Sequence, residues 1–119
     1  MKKEWKIIDV SYLNSISNSD NKFINELIDI FLEQIPDYQD RLVSLHKEND
    51  FENLARIAHK AKSAIIMMGM NELASDLKKL EENAKEKKNI GDYHEIIVKF
   101  VNDTNSAISE LKELKETIK

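Results

Sequence analysis

Two glycines and one proline in 119 residues leave this chain few places at which a tight turn can form. A β-sheet protein of this length needs many turns, and glycine and proline are the residues on which most turns depend. Helices joined by short polar segments need far fewer of them. The scarcity of both residues therefore predicts an all-α fold.

Apolar residues recur at intervals of three and four along most of the chain, which is typical of amphipathic helices. The first predicted helix covers about 7–17, and the second starts near 20 with an apolar stripe that continues to 45. The third runs from a cap at 49 or 50 to about 68, the fourth from 71 to about 88, and the last extends from about 92 toward the C-terminus. In the second of them, Pro36 either starts a separate helix or kinks a continuous one. We predict one domain over residues 1–119: an antiparallel up-and-down four-helix bundle, with the short N-terminal helix capping one end.

Polar residues between the apolar stretches predict where the helices begin and end. Asn49 or Asp50 is the predicted N-cap of the third helix, and Asn71 that of the fourth. Gly91 is expected to end the fourth helix, because glycine readily takes the left-handed conformation found at helix C-termini.

The charge pattern and the absence of cysteine exclude several classes of protein. The 22 acidic and 18 basic residues give a net charge of −4, without the clustered Lys and Arg of a nucleic-acid-binding or anionic-membrane-binding surface. No cysteine is available for a disulfide or a thiolate metal site. No apolar stretch has the length of a signal-peptide core or a membrane span. We therefore expect a cytoplasmic monomer that binds neither nucleic acid nor membrane.

His59 lies in a predicted helix, and helical geometry predicts which way its side chain points. At 100° per residue, one narrow stripe of this helix is apolar and must face the core. The stripe consists of Leu54, Ile57, Ala58, Ala61, Ile65 and Met68. His59 lies roughly 150° from the middle of the stripe, by the same geometry. We therefore predict an imidazole that projects into solvent rather than a buried one.

The outward face around His59 carries small and apolar residues in place of a row of charges. Its members are Ala55, Ser63, Ile66 and Met70, with Arg56 and Lys62 at the edges. Such a composition is typical of a surface to which another protein docks. Scattered exposed apolar residues are also ordinary, so this pattern leaves both interpretations open.

Glu81 is predicted to lie level with His59. In an antiparallel helical hairpin, residues equally far from the turn share a level, and position 70 is midway between 59 and 81. A carboxylate at this place could accept a hydrogen bond from the imidazole Nδ1–H and leave Nε2 free. Taken without the histidine, Glu81 would be interpreted as a solvated surface carboxylate.

The segment "AHKAKSAIIMMGMNELASDLKKLE" (58–81) resembles the central motif of histidine-containing phosphotransfer (HPt) domains of two-component phosphorelays. An Ala-His pair, a lysine three residues later, a glycine ten residues after the histidine and a final Leu-Glu are in register. The preceding "NELIDIFLEQIPDYQDRLVSL" (25–45) is similar to the upstream helix of the family. Ala61 and Ser63 depart from the usual leucine and glycine, but serine is small enough to let a partner approach the histidine.

The resemblance implies the chemistry of a phosphocarrier. His59 would be the phosphoacceptor, with Nε2 as the nucleophile, Lys62 would offset the charge of the phosphoryl oxygens, and Glu81 would orient the imidazole. The expected partners are response-regulator receiver domains and a hybrid sensor kinase, with Mg²⁺ on the receiver and no cofactor on this chain. The sequence has no Gly-rich phosphate loop and no evident Mg²⁺-binding motif, so we expect neither ATP binding nor kinase activity.

The resemblance also implies which further residues a receiver domain would contact. They are Gly69, together with Tyr12, Ile16, Phe23 and Leu27 from the first helix and the start of the second. For the last four, a place in the hydrophobic core is an equally good interpretation.

Three other interpretations remain to be weighed. A helical scaffold that docks receiver domains without carrying phosphate would need neither His59 nor Lys62, and the presence of both residues argues against it.

His46, His59 and His94 lie in different segments without the Glu-x-x-His spacing of bundle metal sites, so we expect no metal. Met1 at the start and the lack of a trailing linker favour a free-standing protein over a piece of a larger kinase.

Overall fold

The computed structural model describes residues 20–117, which form four α-helices and one 3-10 turn and contain no β-strand. They are α1 (Asn21–Lys47), α2 (Phe51–Met67), α3 (Asn71–Glu86), the 3-10 turn (Ile90–Asp92) and α4 (Tyr93–Thr117). The predicted all-α class is confirmed, whereas the short helix predicted over 7–17 lies outside the described residues. No helix within this part of the chain is both long and apolar enough to cross a bilayer.

Contacts between the helices arrange them as an up-and-down bundle. α1 packs against α2, α2 against α3, and α3 against α4, while α4 returns to pack against α1. α1 and α4 run in opposite directions, because Gln39 contacts Thr104 whereas the earlier Asp29 contacts the later Lys115. The most extensive packing is between α2 and α3, which form a closely joined hairpin.

Small side chains allow the close approach of α2 and α3. The stripe predicted from the sequence, from Leu54 to Met68, is buried throughout, and alanines lie within it on α2 and on the buried side of α3. The largest fully buried side chains are Ile28, Ile35, Leu42, Leu54, Ile65, Met68, Leu77, Leu80, Tyr93, Phe100 and Leu111. Apolar residues of all four helices thus form a single core.

Pro36 lies inside α1 without dividing it, so the interpretation in which it starts a separate helix is wrong. α1 is one helix of 27 residues. Proline has no N–H for the carbonyl one turn earlier, but Pro36 is exposed, so water can hydrate that carbonyl. The neighbouring Ile35 is fully buried, and its packing holds both halves of α1 on the same core.

The boundary between α1 and α2 uses Asn49 and Asp50 in different roles. Asn49 has a left-handed backbone (φ 57°) and terminates α1. Asp50 is the N-cap of α2, since its carboxylate accepts a hydrogen bond from the Asn53 N–H at 3.3 Å. Of the two predicted caps, the structure therefore selects Asp50.

Two predicted helix boundaries around α3 are wrong. Asn71 is the first residue of α3 rather than its cap, and Met70 occupies the cap position without a side-chain hydrogen bond. α3 ends at Glu86, followed by Lys87 with a φ of 55°, so the helix stops before Gly91 is reached. Gly91 instead lies in the 3-10 turn that leads into α4.

Gly69 terminates α2 with a φ of 75°. Its N–H donates to the Ile66 carbonyl at 2.9 Å, and the Met70 N–H donates to the Ile65 carbonyl at 3.2 Å. This pair of bonds is a Schellman motif, in which glycine is favoured because no Cβ opposes the left-handed backbone. The turn reverses the chain and places α3 beside α2.

Candidate functional site

His59 projects from α2 into solvent, as its helical phase predicts. Its side chain is 60% exposed, whereas the preceding Ala58 is fully buried. Because the core stripe holds the opposite side of α2 in the bundle, the imidazole has no way to turn inward without unwinding the helix. An accessible ring on a rigid helix is the first requirement for chemistry at this position.

Glu81 of α3 holds one nitrogen of this ring. The Nδ1 atom of His59 lies 3.1 Å from both Oε1 and Oε2 of Glu81. A carboxylate only accepts hydrogen bonds, so the contact favours the tautomer with the proton on Nδ1 and leaves the lone pair on Nε2. The Glu81 side chain is only 8% exposed, so its interpretation as a solvated surface carboxylate is wrong.

Two lysines of the described chain bind the same carboxylate. Lys62, one turn after His59 on α2, places its Nζ atom 3.2 Å from Oε1, and Lys85, one turn after Glu81 on α3, places its Nζ atom 3.1 Å from Oε2. Their side chains differ in accessibility, at 20% for Lys62 and 63% for Lys85. Lys85 is not among the residues predicted from the sequence, although a Glu followed four residues later by Lys is a standard helical ion pair.

These contacts decide the charge of Glu81. Burial raises the pKa of the Glu81 carboxyl, but hydrogen bonds from Lys85, His59 and Lys62 outweigh burial and hold the pKa at about 2, below its ordinary value of 4.5. Glu81 is therefore an anion at any pH near neutrality. A buried anion between two helices is tolerated here because positive charges and a ring N–H surround it.

A depression of about 590 Å³ opens beside the imidazole, between α2 and α3. Its lining consists of Glu52, Asn53, Ala55, Arg56, His59, Glu81, Ala84, Lys85 and Lys87. Arg56 is exposed at its edge, as predicted for the outward face. Three cations, Arg56, Lys85 and Lys87, and two carboxylates, those of Glu52 and Glu81, line the depression, so positive charges outnumber negative ones beside the ring.

Two residues assigned to the outward face, Ala55 and Met70, are buried in the structure. Ala55 is 2% exposed because it lies in the close contact between α2 and α3, where it lines the depression with Ala84. Met70 is 7% exposed because Gly69 has already broken the helical phase, so extrapolating the helix beyond it misplaces the side chain. Their predicted exposure is wrong.

The remaining members of the outward face keep their predicted accessibility. Ser63 is exposed and Ile66 is 40% exposed, while Gly69 is half-buried in its turn. The backbone geometry of Gly69 accounts for the glycine without any partner. The exposed part of this face therefore runs along α2 from His59 toward Ile66.

A second, smaller groove of about 240 Å³ joins this face to α1. Leu27 and Ser63 both line it, and so do Ile30 and Lys60. Exposed apolar side chains continue along α1, with Phe23 at 41% and Ile30 at 45% exposure. Ile30 is not among the residues predicted from the sequence. Tyr12 and Ile16, which were predicted from the first helix, lie outside the described residues.

The contacts around His59 make its imidazole suitable as a nucleophile. Nε2 of a neutral imidazole is a nucleophile, and here it belongs to a side chain that is 60% exposed and whose ring is oriented by Glu81. Cationic side chains on both helices can offset negative charge that arrives with an electrophile. Over residues 20–117, no three His, Cys, Asp or Glu side chains converge as ligands for a metal ion.

Comparison with known proteins identifies a family for this chain. The family model described as "Hpt domain" matches residues 26–117, which include His59, Lys62, Glu81 and Lys85. Neither the curated proteins nor the solved structures contain a match.

Proposed function

The chain belongs to the Hpt domain family, whose members act in histidine phosphotransfer, and from this premise we propose that His59 is its phosphoacceptor. In this proposal the chain accepts a phosphoryl group from the aspartate of one receiver domain and passes it to another. It is a carrier without ATP binding or kinase activity of its own. A cytoplasmic monomer suits this role, because the partners are receiver domains and histidine kinases.

The observation that carries the proposal is the contact between an exposed imidazole and a buried carboxylate. A surface histidine without a partner samples both tautomers and many rotamers. His59 is instead held through Nδ1 by Glu81, at 3.1 Å, which leaves Nε2 without a proton and available for reaction. Burying the charged carboxylate of Glu81 costs free energy. The need to orient the imidazole for reaction accounts for that cost.

The transfer step follows from this geometry. The Nε2 lone pair attacks the phosphorus of the receiver's aspartyl phosphate, the bond between phosphorus and the aspartate oxygen breaks, and the aspartate leaves as a carboxylate. The Nδ1 proton remains on the ring, and Glu81 stabilises the positive charge that the ring gains. Attack by the aspartate of a second receiver reverses these events. Mg²⁺ would be bound by the receiver, where it offsets the charge of the phosphoryl oxygens.

The surface next to His59 suits a receiver domain. Exposed Ser63 and Ile66 lie along α2, and the groove lined by Leu27 and Ile30 adjoins them. Small and apolar residues beside the reacting nitrogen permit the close approach that direct transfer between two proteins requires. Arg56 at the edge of the depression can pair with acidic groups of the partner.

Transfer from labelled receivers tests the proposal. The chain is incubated with receiver domains of the same cell, each carrying ³²P on its aspartate, and the products are separated on a gel. We expect label on the chain in a linkage that is stable to alkali and lost in acid, as for phosphohistidine. Binding of receivers without any transfer would contradict the carrier function and favour the scaffold.

Lys62→Ala should shorten the half-life of the phosphorylated protein by about two- to fivefold, as expected for the loss of one partly exposed charged hydrogen bond. Lys62 is off the core stripe, so the free energy of unfolding should fall by only about 1 kcal/mol. Both quantities are measured on isolated protein, by loss of ³²P and by thermal unfolding, with Lys60→Ala as a control for an exposed lysine of α2. An unchanged half-life would contradict a role for Lys62 at the phosphoryl group.

A further inference from the structure

Lys85 binds Glu81 from the side opposite to Lys62. Each lysine takes one oxygen of the carboxylate, at 3.2 Å for Lys62 on Oε1 and 3.1 Å for Lys85 on Oε2. The two therefore do not compete for one atom. They come from different helices, and only Lys85 of this pair lines the depression beside the imidazole.

Glu81, Lys62, Lys85 and His59 form a charged cluster, and in the unphosphorylated protein its positive and negative charges do not balance. Glu81 contributes one negative charge and the two lysines two positive charges, so with a neutral imidazole the cluster has a net charge of +1. One lysine is enough to neutralise Glu81. Transfer of a phosphoryl group from an aspartate to the ring adds one net negative charge, which brings the same cluster to zero.

The accessibility of the two lysines indicates which one can move. Lys62 is 20% exposed and is held between the helices, whereas Lys85 is 63% exposed on a flexible four-carbon stem. A lysine ammonium has three N–H donors, and the contact with Glu81 uses one of them. Lys85 is therefore free to turn within the depression, whose lining also includes the cations Arg56 and Lys87 and the carboxylate of Glu52.

Resting on the function proposed above, we propose that Lys85 is a second residue that contacts the phosphoryl group. In the unphosphorylated protein its ammonium binds Glu81. When phosphorus is bonded to Nε2 of His59, Lys85 donates a hydrogen bond to a phosphoryl oxygen beside the one from Lys62, and Lys62 keeps another of its three N–H groups on Glu81. Stabilising the charged oxygens protects the phosphorus–nitrogen bond, so Lys85 prolongs the life of the phosphorylated protein between encounters with receivers.

Phosphoramidate allows a test without any receiver. It donates its phosphoryl group to Nε2 as its phosphorus–nitrogen bond breaks and ammonia leaves. Lys85→Met is compared with Lys79→Met, which removes the charge of an exposed lysine that lies about 160° around α3 from Glu81. We expect the half-life of the phosphorylated protein to fall about threefold in Lys85→Met, to stay at the wild-type value in Lys79→Met, and to be restored in Lys85→Arg.

A second readout separates contact with the phosphoryl group from a structural role. Titration followed by ³¹P NMR should show the phosphoryl group of Lys85→Met taking up its proton at a higher pH than in wild type, because a neighbouring cation favours the dianion. Equal half-lives and equal ³¹P titrations in a phosphorylated wild type and Lys85→Met would overturn this inference and leave the phosphocarrier function intact. Failure of the wild type to accept phosphate on His59 from either phosphoramidate or receivers would overturn both.

Discussion

Replacement of His59 by glutamine is expected to reduce phosphoryl incorporation to background. The amide nitrogen of glutamine has no available lone pair and cannot form the bond to phosphorus, but it retains an N–H that can reach Glu81. Since the His59 side chain is 60% exposed, the free energy of unfolding should change by less than about 0.5 kcal/mol. Incorporation of ³²P from a phosphorylated receiver and thermal unfolding measure the two effects separately.

His94→Gln is the matched control for this experiment. His94 is exposed near the start of α4, where its ring centroid lies 6.0 Å from that of His46. This variant should accept phosphate at the wild-type rate. Label that persists on His59→Gln, or that disappears only when His94 is replaced, would refute the assignment of His59 as phosphoacceptor.

Replacement of Glu81 by glutamine is expected to destabilise the protein by about 2 kcal/mol at neutral pH, and the difference from wild type should vanish in acid. The pKa of the folded-state carboxyl is held at about 2, against an ordinary value of 4.5. A lowered folded-state pKa stabilises the protein above the unfolded-state value, and the stabilisation is lost as the pH falls through the folded-state value. The full shift corresponds to about 3 kcal/mol, and we expect less because solvent screens the exposed Lys85.

Chemical denaturation of both proteins between pH 7 and pH 2 measures this difference. Asp50, whose pKa is also lowered, mainly by its hydrogen bonds with Asn53, titrates in both proteins and cancels from the comparison. Glu82→Gln removes the charge of the exposed neighbouring residue and is the matched control variant. A wild-type advantage over Glu81→Gln that is the same at pH 7 and pH 2 would contradict the ionised cluster.

The direction of His59 and the helical class could be predicted from sequence because both depend on local geometry. A helix repeats every 3.6 residues, so an apolar stripe that must be buried places every other residue of the helix at a known angle. The level of Glu81 could also be predicted, since the turn around Gly69 fixes where the chain reverses. These inferences needed no knowledge of how closely the helices pack.

Helix boundaries were predicted less well because several kinds of residue can end a helix. Asn49, Lys87 and Asn89 take left-handed backbones in the structure, a role that sequence analysis reserved for glycine at Gly91. Asparagine and lysine accept this conformation at a modest cost when neighbouring helices dictate the turn. The cost is small enough for tertiary packing to override the preference.

Sequence by itself determined that this chain is helical, that His59 faces solvent and that Glu81 lies at its level. Tertiary structure decided what surrounds them: the burial of Ala55 and Glu81, and the meeting of Lys62 and Lys85 on one carboxylate. The distance between two helices depends on the side chains of both, and the conformation of a long lysine depends on the charges that it meets. Periodicity along one helix contains neither quantity, so the charged cluster around the imidazole could be seen only in the folded chain.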